Sequence, residues 1–170
     1  FKRKAIFSDE DDQLFSDNDE RAIFFAKGVV ETVKKLNWAP DIIHVHGWMA
    51  SLLPLYIKEY YSDEPLFSES KIVTSVYDKD FEGSLNVGLV DKIKFDKISD
   101  DKISILQEPN YTNIIKSAVS NSDAIVQGSS EIPEEIAEEI RNREVPALSF
   151  QEEDSFESYL NFYKELISEE

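Results

Sequence analysis

Two histidines are the whole imidazole supply of this 170-residue chain, and they stand two positions apart, at His44 and His46. They close a β-branched run, Ile42-Ile43-His44-Val45-His46, that is followed at once by Gly47. Such a run reads as a strand buried on both faces of a parallel sheet. The carboxyl ends of strands in open α/β sheets border the crevice where ligands bind. His46 is therefore placed to hydrogen-bond a ligand hydroxyl or to steady developing charge. On spacing alone, a bond to a loop carbonyl is the simpler role for His46, and a satisfied place in the core is the simpler role for His44. No metal site is expected, because no third ligand accompanies the pair and the chain has no cysteine.

Other residues offer chemistry less directly. Trp48 carries a flat apolar ring that could stack on a ligand ring, although packing beneath the next helix suits it better. Lys116 could hold a phosphate or carboxylate, but a lone lysine on a helix is more often a solvated charge. Gly128 and Ser129 end a later strand at the same crevice edge and so read as lining. The acidic runs 131–139 and 152–157 lack an apolar pocket that would raise a carboxyl pKa, and they read as solvated helix faces.

These residues need a scaffold, and the pattern of the chain supplies one. Apolar residues from Ala22 to Leu36 recur at helical spacing, with Asn18 or Asp19 available to cap, so a helix is expected over 19–36. Strands are expected at 42–46, 71–77 and 124–127, with a short edge strand within 145–150. Helices are expected at 49–60, 110–120 and 133–141, the last with proline in its first turn. The first 16 residues read as a loop or strand remnant, and 78–109 reads as a long, weakly periodic excursion from the sheet. At the tail, Phe156, Leu160, Tyr163 and Ile167 suggest an amphipathic helix over 154–167. Strand and helix alternate, which implies a parallel α/β sheet with helices on both faces. The expected organisation is one Rossmann-like domain over 1–150 with an acidic amphipathic helix, 151–170, packed on it.

Charge narrows the partners. Eighteen basic against 35 acidic residues give a formal charge of -17, which repels nucleic acid and anionic membranes. A neutral polymer feels no such repulsion. No run is long enough to cross a bilayer, the first residues lack the apolar core of a signal peptide, and cysteine is absent; a cytoplasmic setting is expected.

The ordered motifs carry a resemblance. Asp17-Asn18-Asp19-Glu20-Arg21, a long helix, then Trp38-Ala39-Pro40-Asp41-Ile42-Ile43-His44-Val45-His46-Gly47-Trp48 and Leu53-Pro54 resemble the bacterial glycogen and plant starch synthases. The likeness is closest over 15–58 and extends to about residue 140, where Asn113, Lys116 and the stretch from Asp123 to Ser129 match in order. It implies the N-terminal lobe of a GT-B glycosyltransferase. It further implies transfer of glucose from ADP-glucose or UDP-glucose to an α-1,4-glucan, with no cofactor and no metal. His46 corresponds to the family histidine beside the donor glucose, and Gly47, Trp48, Tyr77, Asp78, Lys116, Gly128 and Ser129 fall around the implied substrate site.

The chain also departs from the family. The lysine-threonine-glycine-glycine donor loop and the second lobe do not occur in it, Gly47 replaces an aspartate, and Tyr77 replaces a second crevice histidine. The chain is thus expected to begin downstream of the donor loop and to be incompetent alone. The missing part would come from a fuller gene product, a dimer partner or a complementing lobe. The competing expectation is a non-catalytic module that holds a glucan or a protein partner, and the plainest one is a structural domain with no ligand.

Overall fold

In the computed structural model, which describes residues 5–152 and 156–168, four parallel strands lie side by side in chain order. They are β1 (Ile42–His46), β2 (Lys71–Val76), β3 (Ala124–Gln127) and β4 (Ala147–Leu148). The register sets His46 opposite Ser75 and Val76 opposite Gln127, so the tips of β1, β2 and β3 end close to one level. The expected parallel α/β sheet, resembling a GT-B N-terminal lobe, is the observed architecture. The fourth strand, of two residues, is an edge strand within the 145–150 stretch where a short one is expected.

Alternate residues along β2 feed two cores. Ile72 and Val76 join the larger cluster, formed with helix α1 (Asn18–Leu36) and helix α5 (Tyr111–Ser120), while Val73 joins a smaller cluster on the other face. The first cluster is built from Ala22, Ala26 and Val30 of α1, each at most 1% exposed, against Leu52, Leu55 and Tyr56. Small residues on α1 let the helix approach closely. Asn37 ends α1 in the left-handed conformation (φ 48°), a position asparagine tolerates. At the other end of the molecule Asn110 caps α5 by accepting a bond from the Asn113 amide at 2.9 Å.

The single helix expected over 49–60 is instead three pieces. A 3-10 turn (Trp48–Ala50) leads to α2 (Leu53–Leu55), with Pro54 in its first turn, and then to a π-helical stretch (Tyr56–Tyr60). Proline lacks the N–H that would bond back to the preceding turn, so the helix restarts there. The widened stretch lets Tyr56 turn fully inward (0% exposed) and donate its hydroxyl to Asp96 at 2.7 Å.

The excursion expected over 78–109 is a second correction. It contains α3 (Leu89–Lys94), α4 (Asp100–Ile103) and a 3-10 turn (Ser104–Gln107). Leu89, Ile93, Ile103 and Leu106 are fully buried there, so the segment is core rather than surface loop. Its helices are too short to produce a readable period.

Helix α6 (Glu134–Arg143) follows β3, and α7 (Phe156–Ser168) covers the smaller core. The buried stripe of α7 is Phe162 and Leu166, with Tyr159 and Tyr163 beside them against Val73, Ala124 and Val126. Phe156 is 76% exposed, and Leu160 and Ile167 also face water, so the expected stripe is rotated by about one position. Both stripes have helical spacing, and the aromatic one fits the shallow face left by Ala124. The beginning of the expected tail helix at 154–155, residues 1–4, and part of the acidic run 152–157 lie outside the described residues.

Candidate active site

The site is assembled at the tips of β1, β2 and β3. His46 is exposed there, and its Nδ1 lies 2.7 Å from the Tyr77 hydroxyl. That bond engages Nδ1, so Nε2 is the ring nitrogen left for a ligand among the described contacts. Burial lowers the His46 pKa below the usual imidazole value, which keeps the ring neutral at neutral pH. A neutral ring presents one donor or one acceptor to a ligand, not a cation.

His44 lies one pleat deeper on the same face. Its ring stacks on His46 with centroids 4.0 Å apart and a tilt of 36°. Its Nε2 lies 2.8 Å from the buried Ser75 Oγ, and its Nδ1 lies 2.5 Å from the Tyr163 hydroxyl of α7. Burial, with the nearby His46 second, pushes the His44 pKa down to about 4. Each nitrogen is occupied, so His44 is a satisfied support for the ring above it.

Gly47 takes φ 72° and ψ 159°, a conformation essentially reserved for glycine. Glycine where the family has aspartate is thus matched by a backbone that aspartate rarely adopts. The next residue, Trp48, is 3% exposed between Phe7 and Phe81, with ring centroids 5.0 and 5.1 Å away. That placement is packing beneath the helix and leaves no open face for a sugar.

Tyr77 bridges two strand tips. Its hydroxyl reaches His46 of β1, while its ring lies over Gly128 beyond β3. The neighbouring Asp78 is exposed, and its amide donates to Ser129 Oγ at 3.2 Å. From below, the buried Tyr111 donates its hydroxyl to the Asp78 carbonyl at 2.8 Å, holding the bend that follows β2. Burial, reinforced by Asp80 and Asp78, raises the Tyr111 pKa, so the hydroxyl stays a donor.

Lys116 stands apart from this group on α5. It is half-buried, and its ammonium lies 4.0 Å from Glu139 of α6, which makes it an inter-helix contact. His46, Gly47, Tyr77, Asp78, Gly128 and Ser129 are therefore brought together, whereas Trp48 and Lys116 are not part of the polar rim. Sequence reasoning missed Ser75 and Tyr163 as partners of His44. Ser75 could have been found from the parallel register opposite His46, but Tyr163 comes from a helix whose docking position no local pattern encodes.

A groove of about 680 Å³ lies elsewhere, between α1 and α3, with Phe24, Gly28 and Phe95 among its walls. None of the histidine-site residues lines it, so it has no part in this chemistry. Among the described residues no group of three or more His, Asp and Glu side chains converges as a metal site. Nor is any helix long and apolar enough to cross a membrane among them.

The chain is 33% identical over 155 residues to a glycogen synthase of Chlorobium luteolum, covering 89% of this chain and 30% of the relative. It is 32% identical over 137 residues to a glycogen synthase of Chlorobium limicola, covering 80% of this chain and 27% of the relative. A glycogen synthase of Vibrio parahaemolyticus is 29% identical over 143 residues, with 82% and 28% covered. The chain thus spans under a third of the length of these relatives. Residues 1–148 match the family described as the starch synthase catalytic domain, and the chain belongs to that family.

Proposed function

We propose that this chain forms the donor-sugar side of a glycogen synthase-type glucosyltransferase, acting on ADP-glucose or UDP-glucose and an α-1,4-glucan. The observation that carries this reading is His46: an exposed, neutral ring at the carboxyl tip of β1, oriented through Nδ1 by Tyr77. Its free Nε2 would hydrogen-bond a hydroxyl of the donor glucose and steady the ring as charge develops at the anomeric carbon. Gly47, Tyr77, Asp78, Gly128 and Ser129 would shape the pocket rim around it.

Transfer also needs donors for the diphosphate leaving group. This chain has no lysine-threonine-glycine-glycine loop, and we assign those contacts to the rest of a longer protein, a complementing lobe or a second copy. The domain 1–150 and the helix 151–170 would act as one unit within a cytoplasmic enzyme.

The test begins with binding. In a 15N-labelled sample the two imidazoles are resolved without assignment ambiguity, and ADP-glucose, UDP-glucose and maltoheptaose are titrated separately at up to millimolar concentration. A displaced His46 resonance with a sugar nucleotide, together with weaker binding of that nucleotide by His46→Ala, supports the reading. A response to maltoheptaose alone, with no incorporation of radiolabelled glucose into glycogen on adding the missing lobe, favours a glucan-holding module instead. Silence toward all three ligands from a folded sample overturns both.

A further inference from the structure

The ring beneath His46 is held by a residue that the family match does not include. The match covers residues 1–148, and α7 begins at Phe156. Phe162 and Leu166, 8% and 4% exposed, seat that helix on Val73, Ala124 and Val126. This docking carries the Tyr163 hydroxyl to Nδ1 of His44.

The hydrogen-bond inventory around His44 then decides its tautomer. A neutral imidazole has one N–H and one lone pair. Tyr163 and Ser75 Oγ are its two partners, at 2.5 and 2.8 Å. A phenol is the better donor of the two hydroxyls, so Tyr163 donates to Nδ1, and Nε2–H donates to Ser75. With both nitrogens engaged, the ring cannot turn. The His46 ring lies against this ring at 4.0 Å, and its Nδ1 bonds the Tyr77 hydroxyl. Two constraints therefore orient His46: the Tyr77 hydroxyl at its edge and the His44 face at its back.

We propose that Tyr163 of the C-terminal helix is a positioning residue for His46, locking the His44 ring on which the site histidine rests. The inference rests on the reading of His46 as the donor-sugar group. It adds that the helix beyond the matched segment is a working part of the site and not only a cover for the sheet. The titratable groups around the stack are Tyr77 at the end of β2 and Tyr159 and Tyr163 of α7.

The experiment uses the whole chain, 15N-labelled, as Tyr163→Phe, with Tyr159→Phe as the control on the same helix. Imidazole 15N shifts are followed from pH 3.5 to 8 without ligand. In the wild type His44 should be a neutral Nε2–H tautomer that titrates near 4. In Tyr163→Phe the His44 tautomer signature should be lost and the His46 resonances should move. Tyr159→Phe should leave both rings as they were.

Should Tyr163→Phe release α7, amide exchange over 156–168 will reveal it, and the His46 resonances must then move as well. Unchanged His46 resonances in Tyr163→Phe, with or without release of the helix, overturn the inference, as does an equal response in both variants. Ligand silence in the wild type would count against the transfer reading alone. Indifference of His46 to Tyr163→Phe counts against this inference alone.

Discussion

The ring of Tyr77 fills the space that a side chain at Gly128 would need: a Cβ there would stand 2.4 Å from Cε1. The two residues directly follow the neighbouring strands β2 and β3, which are joined there by the Gly128 amide donating to the Val76 carbonyl at 2.7 Å. Gly128→Ala should displace the ring outward, since Tyr77 is only half-buried, at a cost of about 1 kcal/mol of overpacking. The Tyr77–His46 bond should be lost with it. Urea denaturation reads the first effect and the His46 imidazole shift reads the second; an unmoved His46 signal would show that the ring relaxes without leaving its partner.

His44 makes stability depend on pH in a definite direction. Its folded-state pKa, about 4, lies below the ordinary 6.5, so between these values the unfolded chain binds a proton that the folded chain refuses. Its contribution is complete above about 6.5 and is lost as pH falls toward 4. His46, also lowered, acts in the same sense. The unfolding free energy of the wild type should therefore fall more steeply across this window than that of His44→Gln, and coincident slopes would contradict the assignment.

A buried carboxylate tests the entry of α1. Asp19 is 0% exposed and has Lys92 of α3 at 2.6 Å, while its other oxygen, Oδ1, has no hydrogen-bond partner. Lys92→Ala strands this charge. The loss should be about 2 kcal/mol, less than for a fully enclosed pair because the lysine end is one-third open to water. Lys94→Ala, which removes only an exposed pair with Asp100, should be near neutral by the same denaturation measurement.

Much of this arrangement was legible in the sequence, because its signals are local. The β-branched run ending in His46 has the same bounds as β1, and the apolar spacing from Ala22 onward gave α1 to within one residue. The glycine after His46 marked a real change of backbone direction. What was not legible depends on distant partners. Tyr163 serves His44 only once its helix has docked on Val73, Ala124 and Val126, and nothing near residue 163 encodes that partner. Likewise Trp48 looks the same in sequence whether it stacks on a ligand or, as here, sits between Phe7 and Phe81.

The stretch 78–109 was read as an excursion because α3 and α4 are six and four residues long, too brief for a 3.6-residue period to repeat. Its burial makes a clear prediction. Ile103→Ala should cost about 3 kcal/mol, as cavity formation in a packed core does. Amides around Leu106 should resist hydrogen exchange as strongly as those of β2. Rapid exchange there, with a small loss on truncation, would restore the reading of a surface loop.

The strands are laid down in the sheet in the same order as in the chain, each beside the one before it. Growth from the ribosome can therefore proceed by simple accretion, with no later strand needing to be threaded between earlier ones. The exception is the far side of the sheet. Val73, Ala124 and Val126 gain their cover from α7 only after residues 156–168 have been synthesised, so this face of the sheet is the later one to close.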